Sequence, residues 1–332
     1  MKLFLKILLG LIAFVILLAV IGWFALQRPD TPYETLEAAY ASPASQYMDL
    51  GDGLRVHYRD EGSRTGPVIV LVHGFSASLH TWEPWVQRLA PDYRVITLDL
   101  PGHGLTRAPE GYQASMDRYA EVVDQVTSRL GLQGFVLGGN SMGGHVSWLY
   151  ALKHPEKLTA LVLVNSAGWP DGAGDEEEPI VFKVLASPVG RALVGRMDST
   201  QMIRGGLRAA FEPTPDMVDD AMLTRYVQMA RAPGHRDIIF SLMTGERPLA
   251  TPEKLAAIQV PTLILHGDTD KLIHVAAGRQ FDAAIPDSTL IVYENVGHIP
   301  MEQIPDRSAN DLQAWLDSKV FARTAESPEP AP

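Results

Sequence analysis

Short apolar runs alternate with helical patterns over most of this chain, and that alternation restricts the fold more than any other feature. Val68–Gly74 ("VIVLVHG") precedes "HTWEPWVQRLA", Arg94–Leu100 ("RVITLDL") precedes "MDRYAEVVDQVTSRLG", Gly134–Asn140 ("GFVLGGN") precedes "SMGGHVSWLYALKHP", and Leu158–Ser166 follows. The runs are apolar throughout, the pattern of strands covered on both faces. Strand, helix, strand, helix predicts an α/β fold with a mostly parallel central sheet flanked by helices. Between Trp169 and about Ala250 the helical patterns lack intervening strands. The rhythm resumes with Pro261–Asp268 and Ser288–His298 around "VAAGRQFDAAI", and an amphipathic helix closes it from about Ile304 to Val320. Ahead of the first run, "LGDGLRVHY" within Tyr47–Asp60 predicts a hairpin turning at Gly51-Asp52-Gly53.

The N-terminus carries a different signal. Ile7–Leu26 holds no charge, and as a helix it would span about 30 Å, the thickness of a bilayer's hydrocarbon core. Lys2 and Lys6 precede it and Trp23 stands near its far end, where an interfacial aromatic is expected. A cleaved signal peptide has a shorter apolar region closely followed by a small-x-small site; the nearest such site, Ala39-Tyr40-Ala41, lies well beyond this run. Residues 1–27 therefore read as an uncleaved, single-pass transmembrane anchor. Its basic flank puts the N-terminus in the cytoplasm and the main domain on the non-cytoplasmic (periplasmic or extracellular) side. Residues 28–45, with Pro29, Pro32 and Pro43, read as a linker. The formal net charge of −11, with only 28 Lys plus Arg, is the wrong sign for tracking a phosphate backbone, so no nucleic-acid partner is expected. The absence of cysteine excludes disulfides, thiol nucleophiles and thiolate metal sites. The acidic run Asp175–Glu178 reads as a solvated loop, and neither a metal nor a cofactor is indicated.

The stretch "VLGGNSMGGHV" (Val136–Val146) places four glycines around one serine where a buried run turns into a helix. Gly139-Asn140-Ser141-Met142-Gly143 has the form G-x-S-x-G, the nucleophile elbow, in which serine sits on a strained strand-to-helix turn. Gly139 and Gly143 stand where side chains would not fit. A serine nucleophile needs a base, and histidine titrates near neutral. Of ten histidines, His298 falls in a loop at the carboxyl end of the last predicted strand, the edge at which ligands bind in open parallel sheets. His73 and His266 end strands but precede glycine in tight turns, which suits a backbone role. His145 points toward a neighbouring element, and His103, in "DLPGHGLT", reads as structural. An orienting carboxylate comes from "LHGDTDKLIHV": Asp270, further out on the loop, rather than Asp268, which would cap the turn through an Asx-type bond. Asp171 is a more distant candidate. For the oxyanion, the Met142 N–H follows the nucleophile, and "HGFSAS" supplies a second donor, the Phe75 N–H.

With "HGFSAS", "DLPGHGLT", "GNSMGG", "HGDTDKLI" and "VGHIPMEQIP" in this order, the chain resembles the α/β-hydrolase superfamily. The resemblance implies the α/β-hydrolase fold for residues 46–169 and 251–321 and a helical cap or lid for 170–250, while the tail, 322–332, reads as disordered from its composition. It implies Ser141 as nucleophile, Asp270 as acid and His298 as base. "GNSMGG" followed by "LVLVNSAG" is similar to bacterial lipases and esterases, and to monoacylglycerol lipases anchored by an N-terminal helix. Serine in place of aspartate argues against dehalogenase or epoxide hydrolase chemistry. An activated serine, a base and an oxyanion hole suit acyl transfer, so the expected substrate is a small-molecule or lipid (acylglycerol-like) carboxylic ester. A C–C bond hydrolase of ring-cleavage products, or an amidase or peptidase, would use the same triad. A non-catalytic binding protein would ordinarily have lost part of it. The cap methionines are either ordinary packing or an adaptable acyl-binding surface. Acyl length, leaving group and oligomeric state stay open.

Overall fold

The computed structural model describes residues 2–170, 187, 189–191, 195–245 and 247–322. The hairpin forms as its turn residues require. β1 (Ser45–Gly51) and β2 (Leu54–Gly62) pair antiparallel, with Gly51, Asp52 and Gly53 at φ 94°, 49° and 81°. β3 (Val68–Val72), β4 (Arg94–Leu98), β5 (Phe135–Asn140), β6 (Leu158–Val164), β7 (Thr262–Gly267) and β8 (Ser288–Tyr293) follow. The eight strands form one sheet in the order β1-β2-β4-β3-β5-β6-β7-β8, parallel from β4 to β8.

The unbroken apolarity of the runs has the predicted cause. Val70, Val72, Leu137, Leu161 and Leu163 pack on one face with residues of α4 (Met116–Arg129) and α5 (Met142–Lys153). Their chain neighbours Ile69, Leu71, Val136 and Val162 pack on the other with α3 (Glu83–Leu89) and the C-terminal helix Pro305–Trp315. Strands β3, β5 and β6 are thus buried on both sides. Between β6 and β7 the regular elements among the described residues are helices, the longest being α6 (Thr200–Ala210), α7 (Asp220–Ala230) and α8 (His235–Thr244). Helix α9 (Val275–Ala284) joins β7 to β8, and α10 (Pro305–Trp315) runs on into a π-helical turn, Leu316–Phe321. Asp171, the run Asp175–Glu178 and the tail beyond residue 322 lie outside the described residues.

Helix α1 (Lys2–Leu26) is exposed along most of its length and, from Leu3 to Leu26, is long and apolar enough to cross a membrane. The segment expected as a linker differs from that expectation. Residues Tyr33–Tyr40 form α2, with Tyr33 and Leu36 buried against Leu105 and Ala232. The Tyr33 hydroxyl donates to Thr106 O at 3.1 Å, and Arg107 pairs with Glu37 at 2.8 Å. Proline drew the linker reading, yet Pro32 stands just before the helix, where a missing N–H costs nothing. Tyr33, Leu36 and Tyr40 line one side of α2 at helical spacing, a pattern too short to stand out in sequence.

Candidate active site

Strand β5 ends at Asn140 and α5 starts at Met142, so Ser141 alone makes the turn between them. Its backbone sits at φ 55°, ψ −118°, a region that residues with side chains rarely adopt. The surroundings hold it there. Ser141 N–H donates to Val164 O, and Ala167 N–H donates to Ser141 O, both at 3.0 Å. A Cβ on Gly139 would lie 2.1 Å from Gly143 O, and one on Gly143 2.1 Å from Val72 O. Only glycine lets α5 rest this closely on the sheet, which explains both flanking positions of the motif.

Asp270 and His298, from the loops after β7 and β8, meet at 2.7 Å between Oδ2 and Nδ1. The His298 Nδ1–H donates to the carboxylate, which leaves Nε2 as an acceptor. Burial pushes the Asp270 carboxyl up, but His298, the Ile273 N–H and Asn165 together hold it below the usual carboxylate range. Its other oxygen accepts from Leu272 N–H at 2.7 Å and Ile273 N–H at 3.0 Å. The Asx-type bonds expected at Asp268 are therefore made by Asp270; Asp268 instead accepts from Asn295 N–H at 2.8 Å.

No hydrogen bond joins the Ser141 hydroxyl to the His298 ring among the described residues. Such bonds are often long before substrate arrives. The two are tied through Asn140, whose Nδ2 donates to His298 O at 3.0 Å and to Val164 O at 3.2 Å. The helical segment between β6 and β7 also reaches this loop: His298 N–H donates to Ala210 O, at the end of α6, at 2.9 Å. Two residues went unnoticed in the sequence. Asn140 is the unspecified position of G-x-S-x-G. Asn165, at φ 44°, donates to Asp270 Oδ2 at 2.7 Å and to Gly297 O at 3.2 Å.

Across the elbow, the loop after β3 passes close to the serine: a methyl on Gly74 would lie 3.3 Å from Ser141 Cβ. The Phe75 N–H donates to no protein acceptor among the described residues. The Met142 N–H, at the first position of α5, has none within its helix. His73 donates to Gly74 O at 2.7 Å and accepts from Leu100 N–H at 3.0 Å, a backbone role. His266 donates from Nε2 to Ile273 O at 2.9 Å. His145 bonds Pro248 O at 2.8 Å and stacks on Trp148. His103 is buried beside His73 and Phe75, and burial lowers its pKa well below the usual histidine value. Of the methionines between β6 and β7, Met229 is buried while Met202 and Met217 stand in solvent, so they share no single surface.

Asp99 is a second hub. Its carboxylate accepts from His57 at 2.7 Å, Leu79 N–H at 2.7 Å and Leu105 N–H at 2.9 Å. It thereby fixes the loops after β3 and β4 to each other, and with them the position of Phe75.

Residues 67–305 match the family model described as alpha/beta hydrolase fold, and the chain belongs to that family; it is a hydrolase. A membrane phospholipase A, described as a bacterial virulence factor, superposes with a TM-score of 0.69 at 28% identity, covering 96% of this chain and 98% of that one. The 2-hydroxy-6-oxo-6-(2'-aminophenyl)hexa-2,4-dienoic acid hydrolase of Metapseudomonas resinovorans is 27% identical over 89% of this chain and 97% of its own length. Lipase 1 of Psychrobacter immobilis is 25% identical over 81% of this chain and 82% of its own.

Proposed function

We propose that this hydrolase is membrane-anchored and cleaves carboxylic esters of lipid or acylglycerol type through Ser141, His298 and Asp270. The observation that carries the ester reading is the likeness to the membrane phospholipase A, which extends over 96% of this chain and so takes in part of α1. In this reading α1 is a retained anchor rather than a signal sequence, and the catalytic domain lies on the non-cytoplasmic side. Residues 46–169 and 251–321 act as the core and 170–250 as the cap.

The chemistry follows from the geometry. Ser141 Oγ attacks the ester carbonyl carbon as His298 Nε2 takes its proton. The oxyanion accepts from the Phe75 and Met142 N–H groups, which need not reorganise as charge develops. Collapse expels the alcohol, protonated by His298, and leaves an acyl-enzyme. Water, deprotonated by His298, then releases the acid and regenerates Ser141. Asp270 keeps the imidazole in the required tautomer.

A second reading, carbon–carbon hydrolysis on the same triad, is favoured by the likeness to the dienoic acid hydrolase. A truncation lacking residues 1–27 distinguishes the two when assayed on p-nitrophenyl esters from about two to about sixteen carbons, and on vinylogous diketones, beside Ser141→Ala. Ester turnover lost in the variant is the expected result. Turnover of diketones alone would replace the ester reading. Failure of a fluorophosphonate to label Ser141 would remove the serine mechanism from both.

A further inference from the structure

The chain does not swing free where α1 ends. Arg28 N–H donates to Arg196 O at 2.8 Å, and Asp198 N–H donates to Leu26 O at 2.9 Å, so the helix exit is clamped to the chain just ahead of α6. The Arg28 guanidinium pairs with Asp198 at 3.0 Å. Beside this clamp lies a cavity of about 150 Å³ into which Arg191, Arg196, Arg236, Asp30 and Asp237 face. It shares no residue with the Ser141 site. In a chain of net charge −11, this cavity has more guanidinium than carboxylate groups.

The donors are underused. Arg236 spends only Nη2, on Arg28 O at 2.9 Å and Asp30 at 3.1 Å. Its Nε and Nη1 are buried with no partner, a state that is costly unless an acceptor enters. The side chains of Arg191 and Arg196 make no hydrogen bond or ion pair among the described residues. Guanidinium groups bind phosphate oxygens through paired N–H donors, more favourably than carbonyl or hydroxyl acceptors.

We propose that this cavity binds the phosphate of an anionic phospholipid headgroup, with Arg191, Arg196 and Arg236 as donors. The inference rests on α1 being a membrane span. Because Asp30, shortly beyond the end of α1, lines the cavity, the cavity then stands at headgroup level, where a leaflet carrying anionic lipid attracts arginine. Three guanidiniums against two carboxylates leave one positive charge, which matches the single charge of a phosphodiester such as phosphatidylglycerol. Bound there, the lipid bridges the helix exit and the cap, and so holds the cap at a fixed height over the bilayer.

The test is thermal melting of the full-length protein in a neutral detergent, with phosphatidylglycerol, phosphatidylcholine or inorganic phosphate added. Phosphatidylglycerol should raise the Tm by about 5 °C or more at saturation, and phosphatidylcholine should raise it far less. Arg191→Gln with Arg196→Gln should abolish the shift while leaving p-nitrophenyl ester hydrolysis unchanged. If that pair lowers the starting Tm, Arg191→Lys with Arg196→Lys keeps the charge and should restore part of the shift. An equal shift from inorganic phosphate would assign the cavity to free phosphate and overturn the lipid source. No shift, or a shift that survives in the glutamine variant, overturns the site. Failure of the anchor reading would be seen separately, as release of the protein from membranes by alkaline carbonate.

Discussion

Asp270 shows how a carboxylate's role is set by what donates to it. One oxygen is fixed by two backbone N–H groups of its own loop, and the other is left for Asn165 and His298. The loop fragment "HGDTDKLI" offered two aspartates, and distance from the strand end favoured the outer one. Asn165 could not be found the same way, because it lies 105 residues from Asp270 in the chain and its own surroundings look like any strand end. Ser141→Ala should lower ester turnover by about 10⁴-fold or more with the fold intact. Asp270→Asn should cost about 10⁴-fold in kcat by disturbing the His298 tautomer. Steady-state kinetics beside circular dichroism checks both. Asp99 belongs to stability. Burial would raise its carboxyl, but the His57 hydrogen bond and charge more than offset this and depress it. A depressed acid contributes stability above its unfolded pKa and loses it as the pH falls. Asp99→Asn should therefore destabilise by about 3–5 kcal/mol at pH 7, and by less in acid, as read from urea unfolding at both values.

Among the elements, the elbow was legible because its constraint is local: a tight strand-to-helix turn demands glycine two residues on either side of Ser141. Gly143→Ala should force α5 off β3 and cost about 3 kcal/mol, measured by chemical denaturation, with activity falling in parallel. The short helix Pro300–Gln303, directly after the His298 loop, was not legible. It carries Glu302, which accepts from Thr81 Oγ1 at 2.5 Å and so joins the His298 loop to the turn that follows Phe75. Burial pushes the Glu302 carboxyl up to about 7, against a smaller opposing effect of the Thr81 hydrogen bond. An acid raised in the folded state costs nothing where both states are protonated. It loses stability as pH rises from the ordinary carboxylate pKa through 7. Glu302→Gln should therefore leave the Tm unchanged near pH 4 and raise stability at pH 8 by up to about 3 kcal/mol. A Tm gain of equal size at both pH values would show that the carboxyl's ionisation is not the cause.

For the whole molecule, the boundary between α1 and the folded domain is sharper in space than in sequence. A truncation lacking residues 1–27 should stay folded, since α1 buries nothing in the core. One lacking residues 1–44 should melt about 10 °C lower, because it strips Tyr33 and Leu36 from Leu105 and Ala232. Calorimetry on the two separates an inert tether from a structural element. The sequence by itself determined the alternating α/β architecture, the apolar N-terminal helix, the strained serine turn and the residues at the ends of the last strands. Those features arise from periodicity, length and local backbone geometry, which operate over a few residues. Only the tertiary structure decided that Asn140 and Asn165 brace the site, that the supposed linker holds a packed helix, and that three arginines gather where α1 ends. Those depend on side chains brought together across long loops, and a chain's local pattern contains no record of what folding will place opposite it.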